Sequence, residues 1–275
     1  AWAACQRVLD AIVASGSTGA LIPKPIDFVL FAGDLVSHAT SESEWIRWVD
    51  TIDASLTANA IPYRAVPGNH DDEEPGFDFY EAYVGSSAVW DTDSGTVTGQ
   101  NGPSVFTGWK GLRFIGFNNS NGGWNQISSS DLATISSKVN AAIVAGQNPF
   151  LMGHHPHDDE GIIPLASVLA NPNVRCYAHG HSGSPSAKQG LDGVANPNIW
   201  RFNTNSIFED QAILYYEVFA TQLKVYVIEL FTNPTSLPAP KTVQLAYALQ
   251  PVIASPPVAD FSATPVSGVA PLAVS

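Results

Sequence analysis

The sequence predicts an α/β domain in which short strands and helices alternate. Apolar runs of strand length alternate with segments whose apolar residues recur at every third or fourth position. Four of the apolar runs end in Gly accompanied by Asp, Asn or His, a combination typical of strand ends that open into ligand-binding loops. With 275 residues, 45% of them hydrophobic, the chain can bury the core of one large domain, alone or with a fragment of a second.

The predicted elements follow one another in a regular order. They are a helix over residues 1–15, a strand over 26–32, a helix over 41–58, a strand over 62–66, a hairpin over 104–117, a helix over 129–145, strands over 149–152 and 174–177, and a strand pair over 213–220 and 223–230. Ser41 and Glu44 have capping-box spacing at the start of the second helix. Residues 234–257 are rich in Pro, Ala, Ser and Thr, which predicts a last strand or two and then a linker.

Composition excludes several classes of partner. The formal net charge is -13, and no basic run is interleaved with aromatic residues, so we do not expect binding to duplex nucleic acid. No apolar stretch approaches the roughly 20 residues that span a bilayer. The only cysteines are Cys5 and Cys176, which form either two buried thiols or one disulfide. Oligomeric state is open at this stage.

The chemistry-bearing side chains follow the predicted strands. They are Asp34 in FAGDLV, Asn69 and His70 in PGNHD, His154 in GHHPH, and His179 and His181 in AHGH. Loops beyond the carboxyl ends of strands meet at one edge of an α/β sheet. Carboxylate, amide and imidazole groups from such loops are the donors that hold a pair of divalent ions.

Each of these motifs alone has an ordinary structural explanation. Gly-Asp after a strand forms many turns, Gly-Asn forms many hairpins, and His-x-His on a strand merely places two side chains on one face. The Asn-rich stretch 118–125 is either a substrate-facing loop or an ordinary turn. The conjunction of the motifs, in one order and at strand ends each time, favours a common site.

Together, Gly33-Asp34, Gly68-Asn69-His70-Asp71, His154-x-Pro156 and His179-x-His181 resemble the second to fifth motifs of the calcineurin-like metallophosphoesterases. The resemblance covers roughly residues 1–232. It implies the metallo-dependent phosphatase fold, a four-layer α-β-β-α sandwich with two central mixed β-sheets. It also implies two divalent ions, with Mn, Zn and Fe as the candidates.

The resemblance also implies a role for each residue. Asp34 would bridge the ions, Asn69, His154 and His179 would complete the second site, and His181 would bind the first ion. His70 would contact the substrate phosphate as the catalytic residue. A metal-bound hydroxide would attack phosphorus in line.

The chain departs from the family pattern in three places. No His has an Asp two residues before it, so the first motif, Asp-x-His, is absent. Because residues 1–15 resemble the helix that follows this motif, we expect the preceding strand to lie upstream of Ala1, and we expect this chain to bind one ion better than two and to be weakly active or inactive. Ala178 replaces a family Gly, a change we expect to be tolerated. Ser37 stands where purple acid phosphatases have a Tyr ligand, which argues against tyrosinate-bound iron.

The C-terminal residues 258–275 resemble the start of a PKD-type β-sandwich module. We therefore divide the chain into a phosphoesterase domain over 1–248 that lacks its first strand, a Pro-rich linker over 249–257, and the truncated start of this module. Such modules are common on secreted enzymes, so we expect a secreted or extracellular protein.

Three functions remain open from the sequence. The first is hydrolysis of phosphate monoesters or diesters of small or nucleotide-like molecules. The second is a secreted surface-binding protein with a degenerate, structural metal site and PKD-type adhesion modules. The third is a metal-dependent hydrolase of a substrate that is not a phosphate ester.

Overall fold

Two β layers lie face to face, with helices on both outer sides. The computed structural model describes residues 2–73, 77–84, 104–109, 111–120, 125–204 and 212–249. Its helices are α1 (Trp2–Val13), α2 (Glu42–Trp48), α3 (Ala54–Ala58), α4 (Phe77–Tyr83), α5 (Ser129–Val144) and α6 (Ala166–Leu169). Its strands are β1 (Val29–Ala32), β2 (Tyr63–Val66), β3 (Ser104–Trp109), β4 (Leu112–Gly116), β5 (Asn148–Met152), β6 (Cys176–His179), β7 (Ser186–Gln189), β8 (Trp200–Asn203), β9 (Ala212–Val218), β10 (Gln222–Glu229) and β11 (Lys241–Gln244).

One layer is a continuous six-stranded sheet. Its strand order is β3-β4-β5-β6-β8-β7, and the four central strands run parallel, with an antiparallel strand at each edge. The second layer consists of two separate pieces, a parallel pair β1-β2 and an antiparallel sheet of order β11-β10-β9. Both layers thus contain antiparallel strands, and the six-stranded sheet is mixed.

Three apolar clusters hold the layers together. The inner cluster joins side chains of the six-stranded sheet, such as Phe150 and Phe202, to Val66, Leu223 and Val243 of the second layer. A second cluster packs α5 and α6 on the outer face of the six-stranded sheet. A third cluster packs α1 to α4 on the outer face of the second layer. The predicted four-layer α-β-β-α arrangement is confirmed.

The side chains of β10 alternate between the inner and the outer apolar cluster, which shows how the sequence specifies these layers. Leu223 and Val225 belong to the inner cluster, whereas Tyr226 and Ile228 belong to the outer one. Successive side chains of a strand point to opposite faces. A strand buried on both faces therefore needs apolar residues at odd and even positions alike.

The helix predicted over residues 41–58 forms with one irregularity. Five residues of π-helix, Val49–Asp53, separate α2 from α3. The predicted capping box is wrong, because the Ser41 side chain makes no cap hydrogen bond. The Glu44 carboxylate instead accepts hydrogen bonds from the backbone N–H groups of Ser37 and His38, which tie the loop after β1 to the helix.

Several other predictions are corrected or completed by the structure. The strand predicted over 174–177 begins two residues later, at Cys176. Strands β7 and β8 and helices α4 and α6 had no prediction. Cys5 and Cys176 are both free and buried, so the disulfide alternative is wrong. Among the described residues, no helix is long and apolar enough to cross a membrane. The linker, apart from Leu249, and the PKD-type segment lie outside the described residues.

Candidate metal centre

The predicted site residues lie at the carboxyl ends of four parallel strands. Asp34 follows β1, Asn69 and His70 follow β2, and His154 follows β5. His179 is the last residue of β6, and His181 lies two residues beyond it. Strands from both β layers therefore contribute to one edge of the molecule, as the order of motifs predicts.

Four of these side chains come together, and we call them the ligand cluster: Asp34, Asn69, His154 and His181. Asn69 Oδ1 lies 3.0 Å from both His154 Nε2 and His181 Nδ1. His154 Nε2 lies 3.2 Å from Asp34 Oδ2 and 3.2 Å from His181 Nδ1. One carboxylate, one amide oxygen and two imidazoles thus face a common point.

Backbone groups fix the orientation of His154. Its Nδ1 donates to the carbonyl of Ala32, 2.7 Å away, so Nε2 is the nitrogen that faces the cluster. The side chain of Asn119 accepts hydrogen bonds from the backbone N–H groups of both His154 and His155. Burial opposes protonation of the His154 ring, but the hydrogen bond and charge of Asp34 outweigh it and raise the pKa of His154.

Asp71 ties the loops after β1 and β2 together. Its carboxylate accepts hydrogen bonds from the backbone N–H groups of Leu35, Val36 and Gly68, at 2.8, 3.2 and 2.9 Å. The Asp71 side chain is fully buried, and this burial, together with the nearby Asp34 charge, raises its pKa to about 8. Asp34 Oδ1 in turn accepts from the backbone N–H of His70 at 3.0 Å. These hydrogen bonds position Asp34 and Asn69, and they use only some of the possible ligand atoms of the ligand cluster.

The sequence pattern of the family described as calcineurin-like phosphoesterase matches residues 2–185, about two thirds of the chain. The chain belongs to the calcineurin-like phosphoesterases. Their enzymes hydrolyse phosphoesters with divalent metal ions, and this class of activity agrees with the ligand cluster.

Solved structures agree on the fold. A dimetal phosphatase from Danio rerio superposes with a TM-score of 0.63 at 12% identity, covering 88% of this chain and 89% of that one. The Thermus thermophilus protein TT1561 covers 88% of this chain and 94% of its own at 12% identity, with a TM-score of 0.43. No curated protein sequence matches the chain significantly. At these identities the first superposition supports the metallophosphoesterase fold alone.

The donor set of this phosphoesterase fits a divalent metal ion. Imidazole, carboxylate and amide oxygen together suit Zn, Mn and Fe. Ring nitrogens of His154, His155 and His181 all lie within 4.8 Å of one another. Burial and the neighbouring His154 lower the pKa of His181, which favours the neutral imidazole that a metal requires.

His155 is a residue at this site that the sequence analysis left without a role. Its ring centroid lies 4.2 Å from that of His181, and its Nδ1 lies 3.1 Å from Asp159 Oδ2. Its Nε2 is buried and has no hydrogen-bond partner. Burial, followed by the neighbouring His154 and His181, lowers the pKa of His155 to about 3. The doubled His in GHHPH, followed by Asp159, was the signal available in the sequence.

His179 and His70 occupy different positions from the ligand cluster. His179 is buried, its Nδ1 donates to the Gly180 carbonyl, and its ring stacks on Tyr177. Its Nε2 is buried and has no hydrogen-bond partner among the described residues, whereas His181 Nδ1 contacts Asn69 and His154. Burial lowers the pKa of His179 to about 4. The His70 side chain is 47% exposed beside the site, with Nδ1 3.7 Å from Glu73.

The backbone at the cluster adopts conformations that most residues avoid. Asp34 and His181 have φ values of 53° and 68°, in the left-handed region. The neighbouring Gly33 has φ 87°, and a Cβ there would lie 2.5 Å from His154 Nδ1. A Cβ at Gly68 would collide with the Asp34 carboxylate. Close approach of these loops therefore requires glycine at both positions.

Proposed function

We propose that this phosphoesterase hydrolyses phosphate monoesters or diesters of small or nucleotide-like molecules. The observation that carries the proposal is the convergence of Asp34, Asn69, His154 and His181, with the cited donor atoms 3.0 to 3.2 Å apart. All four side chains come from loops after strands, and Ala32, Asn119 and Asp71 hold those loops in place. Such support is what a preorganised metal site requires.

In this proposal, Asp34, Asn69, His154 and His181 hold one divalent ion, and Mn, Zn and Fe are the candidates. When bound, divalent ions supply positive charge against the phosphate oxygens and activate water for attack on phosphorus. His179, whose buried Nε2 has no hydrogen-bond partner in the described part of the chain, would complete the second site as first expected, and His181 contacts Asn69 and His154. His155, with its unpartnered Nε2 oriented by Asp159, is available beside them.

The Asp34 carboxylate orients the site through two different oxygens. One oxygen accepts from the backbone of His70, and the other contacts His154. His70 can therefore present its half-exposed ring to substrate while its own backbone is fixed to the ligand cluster. There the imidazole would donate a proton to the leaving oxygen, a contribution typically worth about 10²- to 10⁴-fold in rate.

A second ion needs further donors at the open side of Asp34. We propose that an Asp-x-His motif on a strand upstream of Ala1 supplies them, and that residues 1–275 alone bind one ion better than two and turn over weakly. We further propose secretion, on the strength of the PKD-like residues 258–275, which lie outside the described part of the chain.

Three single variants test the proposal. Residues 1–275 would be freed of metal, titrated with Mn²⁺ and Zn²⁺ by calorimetry, and assayed with an aryl phosphate monoester and a bis-aryl diester. We expect Asp34→Asn to weaken metal binding at least about 10-fold. His70→Asn should retain metal affinity and, in a chain extended upstream to include Asp-x-His, lose about 10²-fold or more in turnover.

The third variant is the matched control, Asp50→Asn, which changes an exposed carboxylate elsewhere on the protein. It should leave both measurements unchanged. Asp34→Asn with wild-type metal affinity would refute the proposed site. Metal binding without turnover of either ester, in a chain extended upstream to include Asp-x-His, would favour the structural role of the metal instead.

A further inference from the structure

A third imidazole lies against the ligand cluster without belonging to it. The side chain of His155 is 3% exposed, and its ring centroid lies 4.2 Å from that of His181 and 5.0 Å from that of His154. The ring centroids of His154 and His181 are themselves 5.1 Å apart. The three rings thus form a compact triangle. His155 occupies the x position of His154-x-Pro156, so it is a residue of the site that the family motifs do not include.

Only one nitrogen of the His155 ring has a hydrogen-bond partner among the described residues. Nδ1 lies 3.1 Å from Asp159 Oδ2, and this carboxylate holds the proton on Nδ1, so that Nε2 carries a lone pair. Nε2 is buried and has no hydrogen-bond partner in the part of the chain that the structure describes. A buried polar atom without a partner costs about 1–3 kcal/mol. The ring therefore offers an oriented electron pair, which is what a metal ion requires of an imidazole.

The backbone of His155 is held at both of its polar groups. Its N–H donates to Asn119 Oδ1 at 3.1 Å, and its carbonyl accepts from Asn119 Nδ2 at 3.2 Å and from the Tyr177 hydroxyl. Asn119 and Tyr177 are themselves fully buried. Asn119 also accepts from the backbone N–H of His154, so one side chain positions both histidines. The two neighbouring imidazoles therefore enter the site on one rigid support.

The distances among the three rings fit ligands of a single ion. Two donors about 2.0–2.1 Å from one zinc ion, at the tetrahedral angle, lie about 3.4 Å apart. His154 Nε2 and His181 Nδ1 are 3.2 Å apart, and ring nitrogens of all three histidines lie within 4.8 Å of one another. A small shift of the His155 ring therefore brings it to the same ion as the other two.

We propose that His155 Nε2 is a further ligand of the ion that the ligand cluster holds, and that Asp159 is the positioning residue that orients it. This inference rests on the proposed metal centre and deepens it by assigning a metal preference. Imidazole suits zinc, whereas manganese takes mainly carboxylate, carbonyl and water oxygens. A third imidazole beside one carboxylate and one amide oxygen therefore makes the site prefer Zn²⁺ over Mn²⁺.

The first test measures metal affinity. Residues 1–275 are freed of metal and titrated separately with Zn²⁺ and Mn²⁺ by calorimetry. His155→Phe keeps an aromatic ring beside His181 but has no nitrogen. We expect this variant to bind Zn²⁺ at least about 100-fold more weakly, because loss of an outer partner of a ligand alone typically costs about 10- to 100-fold. Its Mn²⁺ affinity should fall less than about 3-fold, so that the preference for Zn²⁺ narrows.

Two further variants separate metal binding from packing. His157→Phe is the matched control, because His157 is equally buried in the same loop and its Nε2 lies 3.1 Å from the Asp192 carbonyl oxygen. This control should leave both affinities unchanged. Asp159→Ala removes the carboxylate that orients His155. We expect it to lower Zn²⁺ affinity about 10- to 100-fold and to leave Mn²⁺ affinity unchanged.

Nuclear magnetic resonance gives a readout that a change in packing cannot imitate. The probe is Cd²⁺, an NMR-active substitute for zinc, added to residues 1–275 with isotopically labelled histidine rings. A ring nitrogen bound to cadmium shows a scalar coupling to the metal. We expect this coupling at His155 Nε2 as well as at His154 Nε2 and His181 Nδ1. His155→Phe should retain the couplings at the other two rings.

Three results would overturn the proposal. The first is wild-type Zn²⁺ affinity in a folded His155→Phe variant. The second is cadmium coupling at His154 and His181 without coupling at His155, which would make His155 a buried histidine that only packs against the ligand cluster. The third is an equal loss of affinity in His155→Phe and His157→Phe, which would indicate general damage to the loop. In all three cases the wild-type chain still binds the ion and the proposed function stands, whereas a wild-type chain that binds no ion would refute both proposals.

Discussion

The two β layers of this phosphoesterase differ in continuity, although both are buried between a helical layer and the inner core. The layer that contributes His154 and His181 is one sheet of six strands. The layer that contributes Asp34 and Asn69 is divided into a parallel pair and an antiparallel sheet of three strands, with an apolar cavity between β1 and β9. In the first layer, strand pairing holds the ligand loops. In the second, hydrogen bonds that the Asp71 carboxylate accepts from backbone N–H groups hold the loops at the ends of β1 and β2.

The largest expected loss in the free energy of unfolding follows from this dependence on Asp71. Asp71→Ala leaves three buried N–H donors without a partner, and at about 1–3 kcal/mol each we expect a loss of about 5 kcal/mol in the free energy of unfolding. Urea unfolding measures it. Asp50→Ala, at an exposed position, should change the free energy by less than about 0.5 kcal/mol. A loss below about 2 kcal/mol for Asp71→Ala would show that the split layer does not rely on this residue.

The next prediction compares the loss in the free energy of unfolding when either of two fully buried leucines is truncated to Ala. Leu151→Ala empties a site between the six-stranded sheet and its helices, and we expect a loss of about 4 kcal/mol. Leu223 lines the apolar cavity between β1 and β9, and a side chain beside a cavity has fewer packing partners on that side. We expect Leu223→Ala to cost about 2 kcal/mol. Equal losses in parallel urea titrations would contradict the existence of this cavity in solution.

The Asn119 side chain supports the loop after β5, which carries His154, in the six-stranded sheet. Its side chain accepts from the backbone of His154 and His155 and donates to the His155 carbonyl and the Tyr177 hydroxyl. We expect Asn119→Ala to destabilise the fold by about 3 kcal/mol and to lower metal affinity about 10- to 100-fold. Asn59→Ala, an exposed amide, is the control for both urea unfolding and metal titration. Unchanged metal affinity would show that β5 pairing alone positions His154.

The smallest expected effect is a pH dependence of the free energy of unfolding, which arises in the second β layer. Burial opposes ionisation of Glu217, but hydrogen bonds from Lys24 and Tyr226 outweigh it and hold its pKa below the usual range. A carboxyl whose pKa is lowered by folding stabilises the protein above its unfolded pKa of about 4.3, and this stability is lost as the pH falls through the folded pKa. We expect wild type to lose about 1 kcal/mol more than Glu217→Gln between pH 6 and pH 3 in urea unfolding. Glu229→Gln, at an exposed position, should retain the full wild-type loss.

The sequence predicted the fold well where periodicity is strong. The buried strands before Asp34, Asn69 and His154 are short apolar runs with clear ends, and the structure has them within about three residues. β7 and β8 were missed because Ser186–Gln189 and Trp200–Asn203 mix polar and apolar residues, and only their pairing with each other and with β6 makes them strands. Local pattern cannot show a partner that is distant in sequence.

The candidate site was likewise predicted in part. The sequence named every member of the ligand cluster, because each one directly follows a strand. The left-handed backbone at His181 and the 3.0 Å approach of its Nδ1 to Asn69 Oδ1 have no signal in the sequence. Asp71 had no assigned role, and Asn119 was considered only as part of the stretch 118–125, because both side chains bond backbone groups of loops about 35 residues away.

The left-handed backbone at Asp34 and His181 has a consequence for laboratory evolution. Each non-glycine residue held there costs on the order of 1–3 kcal/mol, which the surrounding hydrogen bonds must offset. A library screened only for heat resistance should therefore enrich Gly or Asn at these two positions, since both tolerate such torsions. The selected variants would be more stable but would lack the Asp34 carboxylate and the His181 imidazole. Any thermostabilisation campaign on this enzyme must therefore keep residues 34 and 181 unchanged.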